Sequence, residues 1–219
     1  MESAYPRHMN HLAALSVSAY GEHDLVDKIL DDVFLSQMLF DGLGIDCVTW
    51  SKRRAPFSDF ESGSGIRGDV DILLVPRQCF GRAIAFEVKR VKVSPGSLAR
   101  DQVYKLEEIA KGVLQTEKLV QLGFSRVYLL VFVVVDARAV QSLGSPWLSG
   151  VTRTMQEDIN RAMQIDTMPA NAGLIQLELV QVVDKDICDA GAAGTIVRKE
   201  SVLRAQPLTH DLRSRPPTR

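Results

Sequence analysis

Leu25, Val26, Ile29, Leu30, Val33 and Phe34 recur at helical spacing, and Asp24, Asp27, Lys28 and Asp31 fill the positions between them. This pattern predicts an amphipathic helix that starts near Ser18–Gly21 and is stopped by Gly42 and Gly44. Residues 45–50, IDCVTW, then read as a strand. The polar stretch SKRRAPFSDFESGSGIRG that follows reads as a loop. Two more short apolar runs, DVDILLV (69–75) and AIAFEVKRV (83–91), predict a second and a third strand around a turn with Pro76 and Gly81.

Helical spacing returns after SPGS (94–97), where Ser and Pro suit a helix start. Leu98, Leu106, Ile109, Val113 and Val120 mark one stripe of a helix over about 98–122, ended by Gly123. RVYLLVFVVVDA (126–137) is almost continuously apolar, as expected of a central strand covered on both faces. A helix over 151–165, a strand over 173–183, a turn at DAGAAG (189–194) and a strand over 195–203 complete the pattern. The order predicts an α/β fold, a single mixed sheet with helices on both faces. Residues 1–17 carry little pattern, 18–205 form one domain, and the proline-rich tail 206–219 reads as disordered.

Composition narrows the class without choosing a function. The chain has 219 residues, 46% hydrophobic and 24% charged, which argues against global disorder. The formal net charge is −1, so any polyanion site must come from local clustering. Cys47, Cys79 and Cys188 stand far apart with no zinc-type spacing, which fits a reducing, cytoplasmic setting. The longest apolar run, VYLLVFVVV (127–135), falls short of the ~20 residues of a spanning helix, so no membrane association is expected. Gly63-Ser64-Gly65-Ile66-Arg67-Gly68 matches a dinucleotide-binding glycine pattern. It lacks the strand before it and the helix after it that the chemistry requires.

The chemistry lies on the second and third strands. Alternation puts Asp69 and Asp71 on one face of the second strand, and Ala85, Glu87 and Lys89 on one face of the third. A hairpin centred on Cys79 sets Val75 opposite Ala83, Leu73 opposite Ala85 and Asp71 opposite Glu87. Opposed side chains have Cβ atoms about 4.5–5.5 Å apart, where two carboxylates repel unless a cation lies between them. Mg²⁺ suits such a site, because it takes oxygen ligands, keeps several waters and needs only one or two carboxylates beside a substrate phosphate. Lys89, on the same face, is placed to orient the attacking water and to steady the phosphorus centre. The bland alternative is a solvent-facing ladder in which Lys89 bridges the two acids and adds little stability.

Asp71 followed by Glu87-x-Lys89, across a hairpin after a helix and a strand, resembles the PD-(D/E)XK nuclease superfamily. The resemblance covers roughly residues 20–137 and implies a restriction-endonuclease-like αβββαβ core, with 138–205 as an α/β extension. Val70 stands where the family pattern has Pro, so Asp69 remains an alternative ligand. By resemblance, Asp71 and Glu87 bind Mg²⁺ with the Val88 carbonyl, Mn²⁺ substitutes, and Lys89 orients the nucleophile. Glu22, three and four residues before Leu25 and Val26, corresponds to an acid that some members send from the first helix to the metal. A dipole contact at the helix start explains it equally well. Gln102, on the stripe with Leu98, Leu106 and Ile109, corresponds to a family position that binds phosphate or a metal water; hydrogen bonding to buried backbone is its other reading.

Charge is uneven along the chain. Glu22, Asp24, Asp27, Asp31 and Asp32 make the first helix acidic, whereas residues 52–105 are rich in bases. Lys52, Arg53, Arg54, Arg67, Arg90 and Lys92 are candidate contacts to a phosphate backbone. The bases suit a polyanion, and the resemblance implies that it is DNA, with RNA as the alternative. The family resemblance adds an endonucleolytic role in restriction, antiviral defence or DNA processing, and a homodimer or larger complex. The rival is a catalytically inactive member of the same fold that binds nucleic acid or a partner protein.

Overall fold

Strand β4 (Arg126–Asp136) is buried at every position after its first, and the rest of the molecule is arranged around it. The computed structural model describes residues 20–43, 48–56, 68–76, 82–124, 126–136, 151–163, 168–169, 172–181 and 190–195. Among these residues the strands form one six-stranded mixed sheet in chain order. β1 (Val48–Pro56), β2 (Asp69–Pro76) and β3 (Ile84–Val93) are antiparallel neighbours. β3, β4 and β5 (Ala172–Gln181) are parallel, and β6 (Ala190–Thr195) returns antiparallel. The α/β class and the mixed sheet flanked by helices agree with the periodicity of the sequence.

The two parallel steps need crossovers, and helices supply them. α3 (Pro95–Arg100) and α4 (Leu106–Gln121) join β3 to β4; α5 (Arg153–Ala162) lies between β4 and β5. Ile109 and Val113 of α4 and Met155 and Ile159 of α5 meet Leu129, Val131, Val133 and Val135 in one core layer. The opposite face is covered by α1 (Glu22–Asp31) and α2 (Val33–Gly42), whose Leu25, Val26, Ile29 and Leu39 pack on Ile72, Phe86, Val88 and Leu130. Alternation along each strand thus feeds two separate apolar layers.

Several boundaries differ from the expected ones for physical reasons. The single helix expected from 18 to 42 is broken at Asp32, whose ψ of 115° is extended. The Asp32 carbonyl accepts the Ser36 N–H at 2.9 Å, so a residue favoured at helix starts begins α2. β1 runs on through Ser51-Lys52-Arg53-Arg54-Ala55-Pro56, which the polar composition had assigned to a loop. Pairing to β2 keeps it extended, from Val48 opposite Pro76 to Pro56 opposite Asp69. The expected helix over 98–122 begins earlier and is divided in two. Ser94 caps α3 by accepting the Ser97 N–H, with Pro95 following it, as the SPGS pattern implies. Asp101 (φ 55°) and Lys105 (φ 62°) then interrupt the helical path. DAGAAG forms most of β6 instead of a turn, held by its ladder to β5. Residues 196–203, expected as a strand, lie outside the described residues, as do 1–17, 206–219, the three cysteines and Gly63–Arg67.

Phe86, Tyr128 and Gly173 stand side by side on β3, β4 and β5. The Phe86 and Tyr128 rings stack at 5.3 Å, and the Tyr128 ring covers the spot where a Cβ on Gly173 would project. Gly173→Ala therefore forces the ring off its partner in a close-packed layer. We expect a loss of about 2 kcal/mol, in the usual range for overpacking, measured by urea denaturation; an unchanged midpoint would show that the ring yields freely.

Candidate functional site

The β2–β3 ladder pairs Leu74 with Ile84, Leu73 with Ala85 and Ile72 with Phe86, and goes no further. These pairs keep the register inferred from the sequence, but the expected Val75–Ala83 pair is not part of the ladder, and neither is Asp71–Glu87, because β2 leaves β3 after Ile72. Beyond Ile72 the first half of β2 stays with β1, while β3 continues along β4 to Val93. The two strands fork. On the β2 side the amides of Val88 and Arg90 would be left without a strand partner, and such groups are costly if unpaired. Side chains complete them. Val88 N–H donates to Asp71 Oδ2 at 2.7 Å, and Arg90 N–H donates to Glu22 Oε1 at 3.3 Å.

Glu87 and Lys89 point to the α4 face of the same fork and are 2% and 8% exposed. Lys89 Nζ donates to Glu87 Oε1 at 2.6 Å and to the Val88 carbonyl at 3.1 Å. Its aliphatic stem lies on α4. A Cβ at Gly112 would fall 2.7 Å from Lys89 Cγ and 2.8 Å from Leu129 Cδ1, so the absence of a side chain there makes the channel for the lysine. This glycine sits inside a helix, where alone it costs about 1 kcal/mol relative to Ala. The sequence reading passed over it. A glycine within an otherwise regular helical stripe, facing a strand with an ionisable residue, was the available signal.

The structure brings Asp71, Glu87, Val88, Lys89 and Glu22 together, as expected from the motif. Burial pushes the Glu87 carboxyl up to about 7; Lys89 opposes that rise and the Asp71 and Glu22 charges add to it. Burial also raises Asp71, against the Val88 amide and Lys89, which lower it. For Lys89 burial is the largest single influence and lowers its pKa, yet Glu87, Glu22 and Asp71 together outweigh it and hold the ammonium charged. A solvent-facing charge ladder does not describe this site, because the pair is enclosed.

Other expected residues lie elsewhere. Gln102 is not on a buried helical stripe: it falls in the break between α3 and α4, is exposed, and accepts from the Tyr104 hydroxyl at 3.1 Å. The αL residues on either side take it off the helical path. Asp69 is exposed at the start of β2. Arg53 reaches Asp27 at 3.2 Å and also pairs with Asp31, and Arg54 lies 3.8 Å from Asp27. The acidic helix and the basic stretch, expected as separate zones, thus answer each other. The Arg90 guanidinium donates to the Tyr20 carbonyl, while Lys92 is exposed. The Lys52 side chain and Arg67 lie outside the described residues.

No family model matches the chain, and no curated protein matches it. Among the described residues no group of three or more His, Cys, Asp or Glu side chains is gathered as a metal site. The donors nevertheless suit a hard cation that keeps most of its waters: two carboxylates, each with one oxygen beyond its hydrogen-bonded one, and a backbone carbonyl. Burial raises the Glu87 pKa further than Lys89 lowers it, and added positive charge would relieve the rise.

Glu87 sets a pH dependence whose sign is fixed. Its folded value near 7 lies above its ordinary 4.5, so the folded state holds that proton more tightly than the unfolded state. The corresponding stability is full below about 4.5 and is lost as pH rises through 7. Urea denaturation in chelator should show falling stability across that window, and Glu87→Gln should flatten the fall; an identical slope in both proteins removes Glu87 as its source. Gly112 gives a second check. Gly112→Ala should cost about 1 kcal/mol net, crowding exceeding the gain in helix propensity. In a Lys89→Ala background the same change should become stabilising, and a double-mutant cycle measures the coupling.

Proposed function

We propose that the chain is a metal-dependent nuclease resembling the PD-(D/E)XK superfamily, hydrolysing DNA phosphodiester bonds endonucleolytically. One observation carries the reading: Asp71, Glu87, the Val88 carbonyl and Lys89 meet at the open end of the β2–β3 fork. The succession α1–α2, β1, β2, β3, α3–α4, β4 supports the same resemblance. In this reading Asp71 and Glu87 are the anionic ligands of Mg²⁺ or Mn²⁺, with the Val88 carbonyl as a neutral one. When bound, the cation would neutralise charge developing on the phosphoryl oxygens.

The chain's own residues do the rest. Lys89 is held charged by its acidic neighbours, so its ammonium can hold the attacking water and donate to a nonbridging oxygen as negative charge grows there. Asp71 fixes the β3 edge through the Val88 amide, which keeps the carbonyl and the lysine in register. Glu22 does the same one step along β3 and adds a third negative charge within electrostatic reach. Gln102 is left without a role at this point, because it lies in the exposed break. A cytoplasmic setting accords with the widely separated cysteines.

One feature favours the inactive alternative. Lys89 already supplies an internal cation to Glu87 and to the Val88 carbonyl, an arrangement that also suits a site with no metal. Plasmid nicking in Mg²⁺ or Mn²⁺ decides between them. The nuclease reading expects nicking by the native protein and a loss of at least about 100-fold in both Lys89→Ala and Glu87→Ala, the scale of removing one charge-stabilising group. Activity that survives both substitutions removes the site, and no nicking together with retained nucleic-acid binding selects the inactive module.

A further inference from the structure

Arg90 makes two different contacts with the start of α1. Its backbone N–H donates to Glu22 Oε1 at 3.3 Å, and its guanidinium donates to the Tyr20 carbonyl. One residue of β3 thus grips the chain on both sides of Gly21, the cap of α1. Tyr20 is 9% exposed and Arg90 is half-buried. Neither contact is needed to start the helix. Leu25 N–H donates to the Gly21 carbonyl at 3.1 Å, and Gly21 N–H donates to Asp24 Oδ2 at 2.7 Å. Asp24 is therefore the acid that the cap uses. Glu22 is left over, and its carboxylate turns to β3 instead. A guanidinium is also the wrong charge for this end of a helix, where the dipole favours anions by about 0.3–1 kcal/mol. The stability of α1 alone explains neither the arginine nor the direction of Glu22.

The grip sets Glu22 against the fork. The Val88 and Arg90 amides take carboxylates from Asp71 and from Glu22. These amides are two residues apart, roughly 7 Å along the strand. The charge of Glu22 is felt at Asp71, Glu87 and Lys89. Yet Glu22 is the first residue of α1, and the first four N–H groups of a helix have no partner within it. Without the bond to the Tyr20 carbonyl, a single hydrogen bond of 3.3 Å would hold Glu22 to β3.

We propose that Arg90 is a positioning residue of the candidate centre, whose guanidinium holds the Tyr20 carbonyl so that Glu22 lies at the fork beside Asp71 and Glu87. The role rests on the metal-dependent reading above. It also takes Arg90 out of the set of candidate phosphate contacts. The guanidinium serves a carbonyl of its own chain, and turning it to a phosphate would release the start of α1.

Two measurements test this without requiring cleavage. In chelator, the Arg90 amide of the native protein should exchange slowly with deuterium. Arg90→Met should speed exchange of the amide at position 90 as much as Glu22→Ala does. Methionine keeps the apolar length of the side chain and removes its donors, so packing is retained. Titration calorimetry with Mn²⁺ then reads the site. Arg90→Met should weaken Mn²⁺ binding roughly 10-fold, the lower end of what losing a group that orients a metal ligand costs. In a Glu22→Ala background the same substitution should cost nothing further, because the two act as a unit. Arg90→Lys, which keeps a donor for the carbonyl, should recover most of the affinity. A role in packing alone would lower the urea midpoint and weaken Mn²⁺ binding equally with and without Glu22; that result overturns the proposal, as does fast exchange of the Arg90 amide in the native protein. Mn²⁺ binding indifferent to Arg90→Met removes the positioning role and keeps the metal reading. No Mn²⁺ binding by the native protein removes both. Arg90-dependent Mn²⁺ binding without plasmid nicking keeps the positioning role and removes the nuclease.

Discussion

Everything at the candidate site follows from the parting of β2 and β3 after three ladder pairs. A sheet that forks must complete the backbone groups it exposes, since an amide left unpaired in the interior costs about 1–3 kcal/mol. Here the Val88 and Arg90 amides are completed by carboxylates from β2 and from α1. The requirement that satisfies the backbone is the one that gathers negative charge. Asp71 and Glu22 converge because β3 needs acceptors at alternate positions, and Glu87 joins them through Lys89 and its charge on Asp71.

Gathering acids in this way is unfavourable for folding alone. Burying an ion pair such as Glu87–Lys89 sacrifices hydration that mutual attraction repays only partly, and apolar residues of similar volume often do as well. The surroundings nevertheless build around the pair. α4 gives up a side chain at Gly112 so that the lysine stem can pass, and Thr116 returns its hydroxyl to the Gly112 carbonyl at 2.7 Å. Perturbed ionisable groups held together by such provision are more often a mark of function than of stability. By contrast β4, from Leu129 to Val135, is apolar on both sides.

The legible parts of this structure were those set by local periodicity. The hydrophobic run of β4, the stripes of α1 and α4 and the alternation of β2 and β3 were enough to give the sheet, its two helical layers and the Leu73–Ala85 register. What escaped was decided by contacts distant in sequence. The polar residues Ser51 to Pro56 have no strand periodicity of their own and are extended because β2 pairs with them. Gln102 sits on the helical stripe in projection, yet Asp101 and Lys105 leave the helical path on either side of it, a backbone choice with no glycine or proline to announce it. Arg53 reads as a free base in the sequence and is neutralised by Asp27 and Asp31, twenty-odd positions away in the chain.

The lysine bears on both readings of the site, an enclosed ion pair and the proposed catalytic centre. Its stem lies against Gly112, its ammonium is bonded at once to Glu87 and to the Val88 carbonyl, and only the last bonds of the side chain decide whether it stays there. On the proposed reading, turning those bonds would free the carboxylate and carbonyl oxygens for a cation while the stem stays packed against Gly112. The charge stays in the site in either position. The buried acids therefore keep a positive partner close by, whichever reading of the site holds.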